Sequence, residues 1–371
     1  MRYNYNYISN ELKQIIDPAT KESHRFEKPL SVKEYPQGFI VPFVGWEYSI
    51  GGILDKDGNI IKDSECYEWK EKAPHITDDF AIEDKSVVYL GFLLTVWGHA
   101  FTDNLRKIWI LDSPTLNALL KNYNVELVYT TSWNRPLPES IVSAFQIAGV
   151  DITKARQITK VTKFKTIFVP DNCYAATTKG RIYCDQYADI INRIKKRIIK
   201  GEDSLPSKVY FTRTKLNSPK EYGEVFVEKV FKDLGYTIIS PEEYSLLEQL
   251  QIIQHCSHFA ATEGSVAHLT LFCNPNTEVC IINKANYLNF HQVMINEFAD
   301  LSVTYVQANH STKANKDYPW WGPFYLCMNK YLRRYSHSFL LYRPFWMRYS
   351  YWKYSENILY KCYSHIRNII K

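Results

Sequence analysis

The sequence contains no apolar run long enough to cross a lipid bilayer. The longest, VVYLGFLLTVW at residues 87–97, is eleven residues long, whereas a membrane-spanning helix needs about 20. The first residues, MRYNYNYISNELKQ, also lack the apolar centre of a secretory signal peptide. Both absences predict a protein that stays in the cytoplasm.

Closely spaced cysteine pairs are missing as well. The eight cysteines include no CxxC pair, and several lie in apolar runs such as LFC and EVCII. We expect them to be reduced and to serve in packing, as is usual in the cytoplasm. They are Cys66, Cys173, Cys184, Cys256, Cys273, Cys280, Cys327 and Cys362.

The common glycine-rich nucleotide signatures are absent too. Neither GxGxxG nor GxxxxGK[ST] occurs, which argues against a dinucleotide-dependent enzyme and against a P-loop NTPase. Metal ligands are sparse. The segment 55–59, DKDGN, resembles part of a calcium loop but fits a hairpin turn better, and His255 and His258 lie on either side of a predicted helix end. We therefore predict no metal and no cofactor.

Predicted strands and helices alternate along most of the chain. The strands include NVELVYT, FKTIFVP, SKVYFTRT, YTIIS, HFAAT and TEVCIINK, with helical patterns between them. Such alternation is typical of βαβ units and parallel sheets. A basic segment near residues 194–208 separates two halves. We predict an α/β protein with a β segment at 1–85, Rossmann-like lobes at 86–200 and 201–310, and a helical tail at 311–371.

The stretch FAATEGSVAHLTLF, residues 259–272, places three polar residues between a predicted buried strand and a predicted helix. Gly264 permits a sharp turn, and Ser265 is a favourable N-cap. The helix N-terminus would then face the carboxyl edge of the sheet and could bind a phosphate. Glu263 would accept a hydrogen bond from a sugar hydroxyl. The alternative is an ordinary strand-to-helix turn without a ligand.

Two cationic residues follow the strand SKVYFTRT. Arg213 and Lys215 would lie at the same carboxyl edge, where a guanidinium and an ammonium neutralise a diphosphate. The alternative is a solvated basic loop.

A histidine and a carboxylate share one face of a helix predicted over about 99–112. His99 and Asp103 are spaced i, i+4 in WGHAFTDNLRKIWILD, with Arg106 on the same face. A carboxylate that orients an imidazole prepares it to act as a general base. The alternative is a helix-start histidine beside a surface aspartate.

Three stretches together resemble glycosyltransferase family 61, in the same order and spacing over residues 38–310. WGHAFTDNLRKIWIL resembles the family's GHxxxDxLxRLWxL element, and VYFTRTKLNS resembles its strand with a following Arg and Asn. SLLEQLQIIQHCSHFAATEGSVAHLTLFCNPNTEVCII resembles its closing helix, strand, glycine turn and apolar segment. The positions that match are His99, Asp103, Arg213, Asn217, Gln249 and Gly264.

The resemblance implies a GT-B fold, in which two Rossmann-type lobes face a cleft, and a nucleotide-sugar donor such as a UDP-sugar. It also implies inversion at the anomeric carbon and a role in capsular or surface polysaccharide assembly. Two positions depart from the family pattern. Glu263 stands where a histidine is common, and Leu269 stands where an asparagine is common, with His268 beside it.

We therefore expect a metal-independent inverting glycosyltransferase with a glycan acceptor bound by lobe 86–200 and the donor by lobe 201–310. His99 with Asp103 would supply the base. The predicted donor contacts are Arg213, Lys215, Asn217, Gln249, Glu263, Gly264, Ser265 and His268.

The last part of the chain is basic and aromatic. From Phe324 onward there are nine Lys or Arg residues and one acidic residue, although the whole chain has a net charge of only +6. After Pro344, Trp, Tyr, Leu and Ile recur at helical spacing, which predicts an amphipathic helix at an anionic membrane surface. Packing on the protein's own body, or on another copy, fits the same pattern, whereas a helix is a poor stacking platform for nucleic acid.

Two other functions remain open. Glu263 and Leu269 allow an inactive protein of the same fold that binds a nucleotide or a glycan. The tail allows a membrane adaptor. A lipid-linked acceptor would make a tail at the inner face of the cell membrane useful to a transferase. The sequence gives no indication of oligomeric state.

Overall fold

The computed structural model describes residues 2–45, 49–62, 79–177, 180–198, 204–216, 220–309 and 322–337. The chain forms two compact units. The parallel-sheet unit comprises Met1–Lys21, Gly201–Gln292 and Ala299–Lys371, and the mixed-sheet unit comprises Glu22–Lys200 and Val293–Phe298.

The strands, in chain order, are β1 (Arg2–Tyr7), β2 (Val32–Pro36), β3 (Phe39–Gly45), β4 (Ser49–Leu54), β5 (Ala81–Leu93), β6 (Glu126–Thr131), β7 (Arg156–Gln157), β8 (Thr162–Pro170), β9 (Tyr174–Ala176), β10 (Arg181–Tyr183), β11 (Lys208–Phe211), β12 (Glu221–Tyr222), β13 (Thr237–Ile239), β14 (His258–Thr262), β15 (Glu278–Asn283), β16 (Ser302–Gln307) and β17 (Phe324–Tyr325).

The α-helices are α1 (Asn10–Ala19), α2 (Pro114–Tyr123), α3 (Glu139–Ile147), α4 (Asp185–Arg197), α5 (Glu224–Asp233), α6 (Leu246–His255), α7 (Phe290–Phe298) and α8 (Lys330–Ser336). Short 3-10 helices occupy Trp97–His99, Asp103–Leu105, Ile108–Asp112, Ser132–Asn134, Ile152–Lys154, Pro241–Glu243 and Ala267–Phe272.

The parallel-sheet unit is built on six strands in the order β1-β16-β15-β14-β11-β13. Every neighbouring pair is parallel. The central strands are nearly continuous apolar runs, as is typical of parallel strands covered on both faces. Tyr210, Ala260, Cys280 and Val306 from four of these strands pack in one core cluster with Phe231 of α5.

The mixed-sheet unit has the strand order β4-β3-β8-β5-β6-β7, with β2 also paired to β8. The pairs among β5, β6, β7 and β8 are parallel, whereas β2 and β3 run antiparallel to β8. Val87, Tyr89, Val128 and Ile167 form its core. The predicted mixed α/β class with parallel sheets is therefore confirmed.

The predicted hairpin turn near Asp55 is also confirmed. Leu54 and Ile60 bridge antiparallel across it. The Asp55 side chain accepts hydrogen bonds from the backbone N–H groups of Asp57 and Asn59, at 2.9 and 2.8 Å. The carboxylate therefore closes the turn on itself, and Gly58 takes the left-handed conformation at φ +84°.

The predicted α-helix over about 99–112 is wrong. The chain there forms the three separate 3-10 helices between Trp97 and Asp112, and Thr102 has non-helical angles, φ −106° and ψ −98°. Tertiary hydrogen bonds explain the difference. Asn104 bonds to both backbone groups of Leu94, and Arg106 donates to the carbonyl of Phe92. These bonds fix the segment against β5 and prevent a regular helix.

The next helix was not predicted. α2 begins directly after Ser113, whose side chain accepts a hydrogen bond from the N–H of Thr115, and Pro114 occupies its first position. Serine followed by proline is a favourable helix start, so the sequence did contain the signal.

Five cysteines are buried and Cys327 is half-buried, all as free thiols, in agreement with the predicted packing role. Among the described residues, no helix combines the length and apolar character needed to span a membrane. Cys66, Asn217, Cys362 and the tail pattern after Pro344 lie outside the described residues.

The capping box at the start of α6 gives a direct test of the fold. The Ser245 side chain accepts from the N–H of Glu248, and the Glu248 side chain accepts from the N–H of Ser245. We expect Ser245→Ala to lower the free energy of unfolding by about 1 kcal/mol, because it removes this cap. Urea denaturation measures the loss. Ser245→Thr keeps the hydroxyl and is the control, and equal stability of the two variants would contradict the role of the cap.

Candidate functional site

Charged side chains follow three neighbouring strands of the parallel sheet. Arg213 lies two residues after β11, Glu263 directly after β14, and Lys284 directly after β15. These strands are adjacent and parallel. Because the carboxyl ends of parallel strands meet at one edge of a sheet, the three side chains come from the same edge.

Glu221 links two of these cations. Its carboxylate lies 2.6 Å from Nζ of Lys284 and 3.2 Å from Nε of Arg213. The Glu221 side chain is 1% exposed and that of Lys284 is 7% exposed. Burial favours the neutral acid, but the two cations outweigh it and lower the pKa of Glu221. Burial also lowers the pKa of Lys284, although Glu221 opposes this.

Two further carboxyl groups lie in this cluster. Glu224 accepts a hydrogen bond from the hydroxyl of Tyr210 at 2.9 Å, and burial together with the nearby Glu221 raises its pKa to about 8. Burial likewise raises the pKa of Glu263 to about 8, although Lys284 and Asn283 oppose the shift. Oε2 of Glu263 is buried without a hydrogen-bond partner in the described part of the chain.

The balance of charge follows from these shifts. At neutral pH, Glu224 and Glu263 are mostly protonated, so one carboxylate, Glu221, faces the cations of Arg213 and Lys284. With Arg213 and Lys284 both protonated, the group then carries one more positive than negative charge. Arg213 keeps 23% of its side chain exposed, so part of that charge can reach an anion in solvent.

Gly264 is needed for the position of the lysine. Its φ is +126°, and a Cβ atom there would lie 3.2 Å from Nζ of Lys284. The ring of Phe324 lies near the same ammonium, with its centroid 4.2 Å from Nζ. A side chain at position 264 would strain the backbone and crowd the ammonium.

The predicted α-helix capped by Ser265 is wrong. The element is a six-residue 3-10 helix, Ala267–Phe272, its N-cap position is Val266, and there is no side-chain cap bond. Ser265 lies in the preceding turn. So short a helix gives little support to the predicted phosphate site at its N-terminus. His268 lies beside Asn289, at 3.3 Å, and beside the ring of His291.

The other predicted donor contacts are engaged within the protein. Lys215 is exposed and pairs with Glu243 at 2.8 Å. The Gln249 amide donates to the carbonyls of Pro241 and Tyr244, at 2.8 and 3.0 Å, and so fixes the start of its own helix. Neither arrangement tests a role in donor binding, and Asn217 lies outside the described residues.

The structure brings His99 and Asp103 together in the mixed-sheet unit. Nδ1 of His99 lies 2.7 Å from Oδ2 of Asp103, and the Thr102 hydroxyl donates to the same oxygen at 3.1 Å. The Asp103 side chain is 1% exposed and that of His99 is 25% exposed. In the neutral ring Nδ1 therefore carries the proton and Nε2 the lone pair, which is the tautomer of a general base.

Three residues of the charged cluster, Lys284, Glu221 and Glu224, were not predicted from the sequence. Lys284 ends an apolar strand run, VCIINK, which is a detectable signal, because a charge directly after a buried strand lies at the carboxyl edge. Glu221 begins the two-residue strand β12, where no local sequence pattern distinguishes it. Arg106, predicted on the face of His99, is buried and donates to the carbonyl of Phe92.

The raised pKa of Glu263 predicts a specific pH dependence of stability. Its folded pKa is about 8, against 4.5 for the unfolded chain, so its contribution to stability is full below about pH 4.5 and falls as pH rises toward 8. Between pH 5.5 and 7.5 the free energy of unfolding should therefore fall less steeply in Glu263→Gln than in the wild type, by up to about 1.4 kcal/mol per pH unit.

Urea unfolding of the wild type and Glu263→Gln at both pH values measures this difference. Glu34→Gln, at an exposed glutamate on β2, is the control and should keep the wild-type slope. A Glu263→Gln slope equal to that of the wild type would contradict the raised pKa.

Comparison with known proteins adds one match. The family model described as Glycosyltransferase 61 matches residues 97–280, about half of the chain. The matched region begins at the turn that carries His99, includes Arg213, Glu221 and Glu263, and ends within β15. No curated protein matches the chain. Through residues 97–280, the chain belongs to glycosyltransferase family 61.

Proposed function

We propose that this protein is an inverting, metal-independent glycosyltransferase that moves a sugar from a nucleotide-sugar, such as a UDP-sugar, to a glycan hydroxyl. The GT-B architecture and a role in capsular or surface polysaccharide assembly belong to the same proposal. The observation that carries it is the His99–Asp103 pair, because a buried carboxylate fixes the tautomer that accepts a proton.

In this mechanism His99 removes the proton from the acceptor hydroxyl as that oxygen attacks the anomeric carbon. Asp103 is a positioning residue that stabilises the imidazolium formed. The bond from the sugar to the nucleotide breaks on the opposite face, so the configuration at the anomeric carbon inverts. The proton ends on His99, and the nucleoside diphosphate leaves with the bonding electrons.

The Arg213–Glu221–Lys284 cluster is proposed to stabilise that leaving diphosphate. Its surplus positive charge comes from a guanidinium that is partly exposed and an ammonium fixed by Glu221. Cationic groups held in place before reaction stabilise developing negative charge without reorganisation. Lys284 thereby takes the supporting role that sequence analysis gave to the N-terminus of a helix at Ser265.

Removal of the base should lower turnover and spare donor binding. We expect His99→Gln to reduce kcat by about 100-fold or more, because general base catalysis typically contributes 10²–10⁴-fold. Asp103→Asn should also reduce kcat. Hydrolysis of a panel of UDP-sugars measures turnover. His255→Gln, at an exposed histidine, is the matched control, and wild-type kcat in His99→Gln would exclude His99 as the base.

Removal of the Arg213 guanidinium should weaken nucleotide binding. We expect Arg213→Ala to raise the Kd for UDP by about tenfold or more, which corresponds to about 1.4 kcal/mol of a charge-assisted contact. A thermal-shift titration measures binding. Lys232→Ala, at an exposed position on α5, is the control.

Three outcomes of these measurements separate the alternatives. Stabilisation by UDP without turnover of any sugar indicates a binding protein that retains the fold. No stabilisation by UDP or its sugars excludes the donor assignment. An adaptor acting through the tail would bind anionic vesicles and lose that binding when residues 338–371 are removed. That truncation keeps β17, which pairs with β12, the strand that contains Glu221.

A further inference from the structure

A polar groove lies at the outer edge of the parallel sheet, within the parallel-sheet unit. β1 is an edge strand of the sheet and pairs with β16. Its residues line the groove together with residues of α1 and α8. The groove has a volume of about 680 Å³, which falls within the range of small-molecule sites. None of its residues belongs to the two clusters described above.

Two cations line this groove, and no acidic residue is among the described residues that line it. Lys13 lies on α1 and Arg334 on α8. Both side chains are exposed, and neither forms an ion pair with a carboxylate among the described residues. Lys13 instead lies over the ring of Tyr5, with its ammonium 5.7 Å from the centroid. The groove is therefore complementary to an anion.

Hydrogen-bonding groups supply most of the remaining surface. Asn4, Asn6 and Asn10 line the groove, and each amide can both donate and accept. The tyrosines that line the groove add ring surface, and Ile8 is buried. A ligand with hydroxyl groups along its length fits this lining better than an apolar ligand does.

The tyrosines are held rigidly. The rings of Tyr3, Tyr5 and Tyr305 are nearly parallel, with centroids 5.8–6.2 Å apart. The Tyr5 hydroxyl bonds to the hydroxyl of Thr20 at 2.8 Å. These rings pack on one another, which differs from the row of separate open rings on which single-stranded nucleic acid stacks. The lining therefore favours a saccharide over a nucleic acid.

We infer that this groove binds an anionic saccharide, one that bears carboxylate or phosphate groups along a hydroxyl-rich chain. The inference deepens the proposed function and rests on it, since it assigns an anionic glycan as the class of acceptor or product chain. Lys13 and Arg334 contact the anionic groups, and the three asparagines contact hydroxyls.

Binding of short saccharides to the full-length protein tests the inference. The probes are a hyaluronan hexasaccharide, which carries carboxylates, a phosphorylated maltohexaose, neutral maltohexaose and a thymidine hexanucleotide, each measured by calorimetry. We expect one or both anionic saccharides to bind at least tenfold more tightly than the neutral one, and the comparison of the two identifies carboxylate or phosphate.

Substitutions then locate the site. We expect Lys13→Ala and Arg334→Ala each to raise the Kd for the anionic saccharide about fivefold to tenfold, as loss of a charge-assisted contact predicts. Asn6→Asp should also weaken binding by repulsion. All three positions are exposed, so the variants should remain folded. Lys21→Ala is the matched control, because Lys21 is exposed and pairs with Asp17 instead of facing the groove.

Equal binding of neutral and anionic saccharides would overturn the inference, and so would wild-type affinity in the Lys13 and Arg334 variants. Tighter binding of the hexanucleotide, lost in the same variants, would identify a nucleic-acid surface instead. The thermal shift of the wild type with UDP is measured in parallel. If UDP stabilises the protein but the saccharide does not bind, the groove assignment alone is wrong. If UDP does not stabilise the wild type, the result counts against the proposed transferase.

Discussion

The ion pairs formed by the buried carboxylate of Glu221 hold together the charged cluster of the parallel-sheet unit. The carboxylate lies between Arg213 and Lys284, and an unpaired charge in that position would cost several kcal/mol. The pairing of β12 with β17 brings Glu221 into place, and the order of β11, β14 and β15 brings the two cations to one edge. The strand pairing of this unit therefore determines the positions of the charged residues in the cluster.

Protonation keeps this cluster cationic although it contains three carboxyl groups and two cations. Burial raises the pKa of both Glu224 and Glu263 to about 8, so neither cancels a cation at neutral pH. The same burial strengthens the electrostatic interactions among these groups, because little water screens them. Low solvent exposure thus reduces the negative charge of Glu224 and Glu263, whereas Glu221 opposes its effect on the pKa of Lys284.

The segment around His99 is held in place by hydrogen bonds from its side chains. Its backbone is not a regular helix, and its geometry comes from side chains that bond to neighbouring strands. Asn104 bonds to Leu94, Arg106 to Phe92, and Lys107 to Pro170. Each of these side chains is buried, so a change in any of them would leave a polar group unsatisfied. The His99 imidazole therefore has a defined orientation without the support of a continuous helix.

The sequence by itself determined the α/β class, most strands, the turn at Asp55, and the pairing of His99 with Asp103. These follow from local patterns: apolar runs, turn residues, and a spacing of four that brings two side chains together in a helix or in consecutive tight turns. Only the tertiary structure decided that the segment around His99 forms 3-10 turns, that Ser265 is not a cap, and that Glu221 joins Arg213 to Lys284. The physical reason is that these features depend on hydrogen bonds and ion pairs between distant residues, and on burial. In the case of Glu221 and Lys284 the partners are 63 positions apart in the chain, which is a separation that no local pattern encodes.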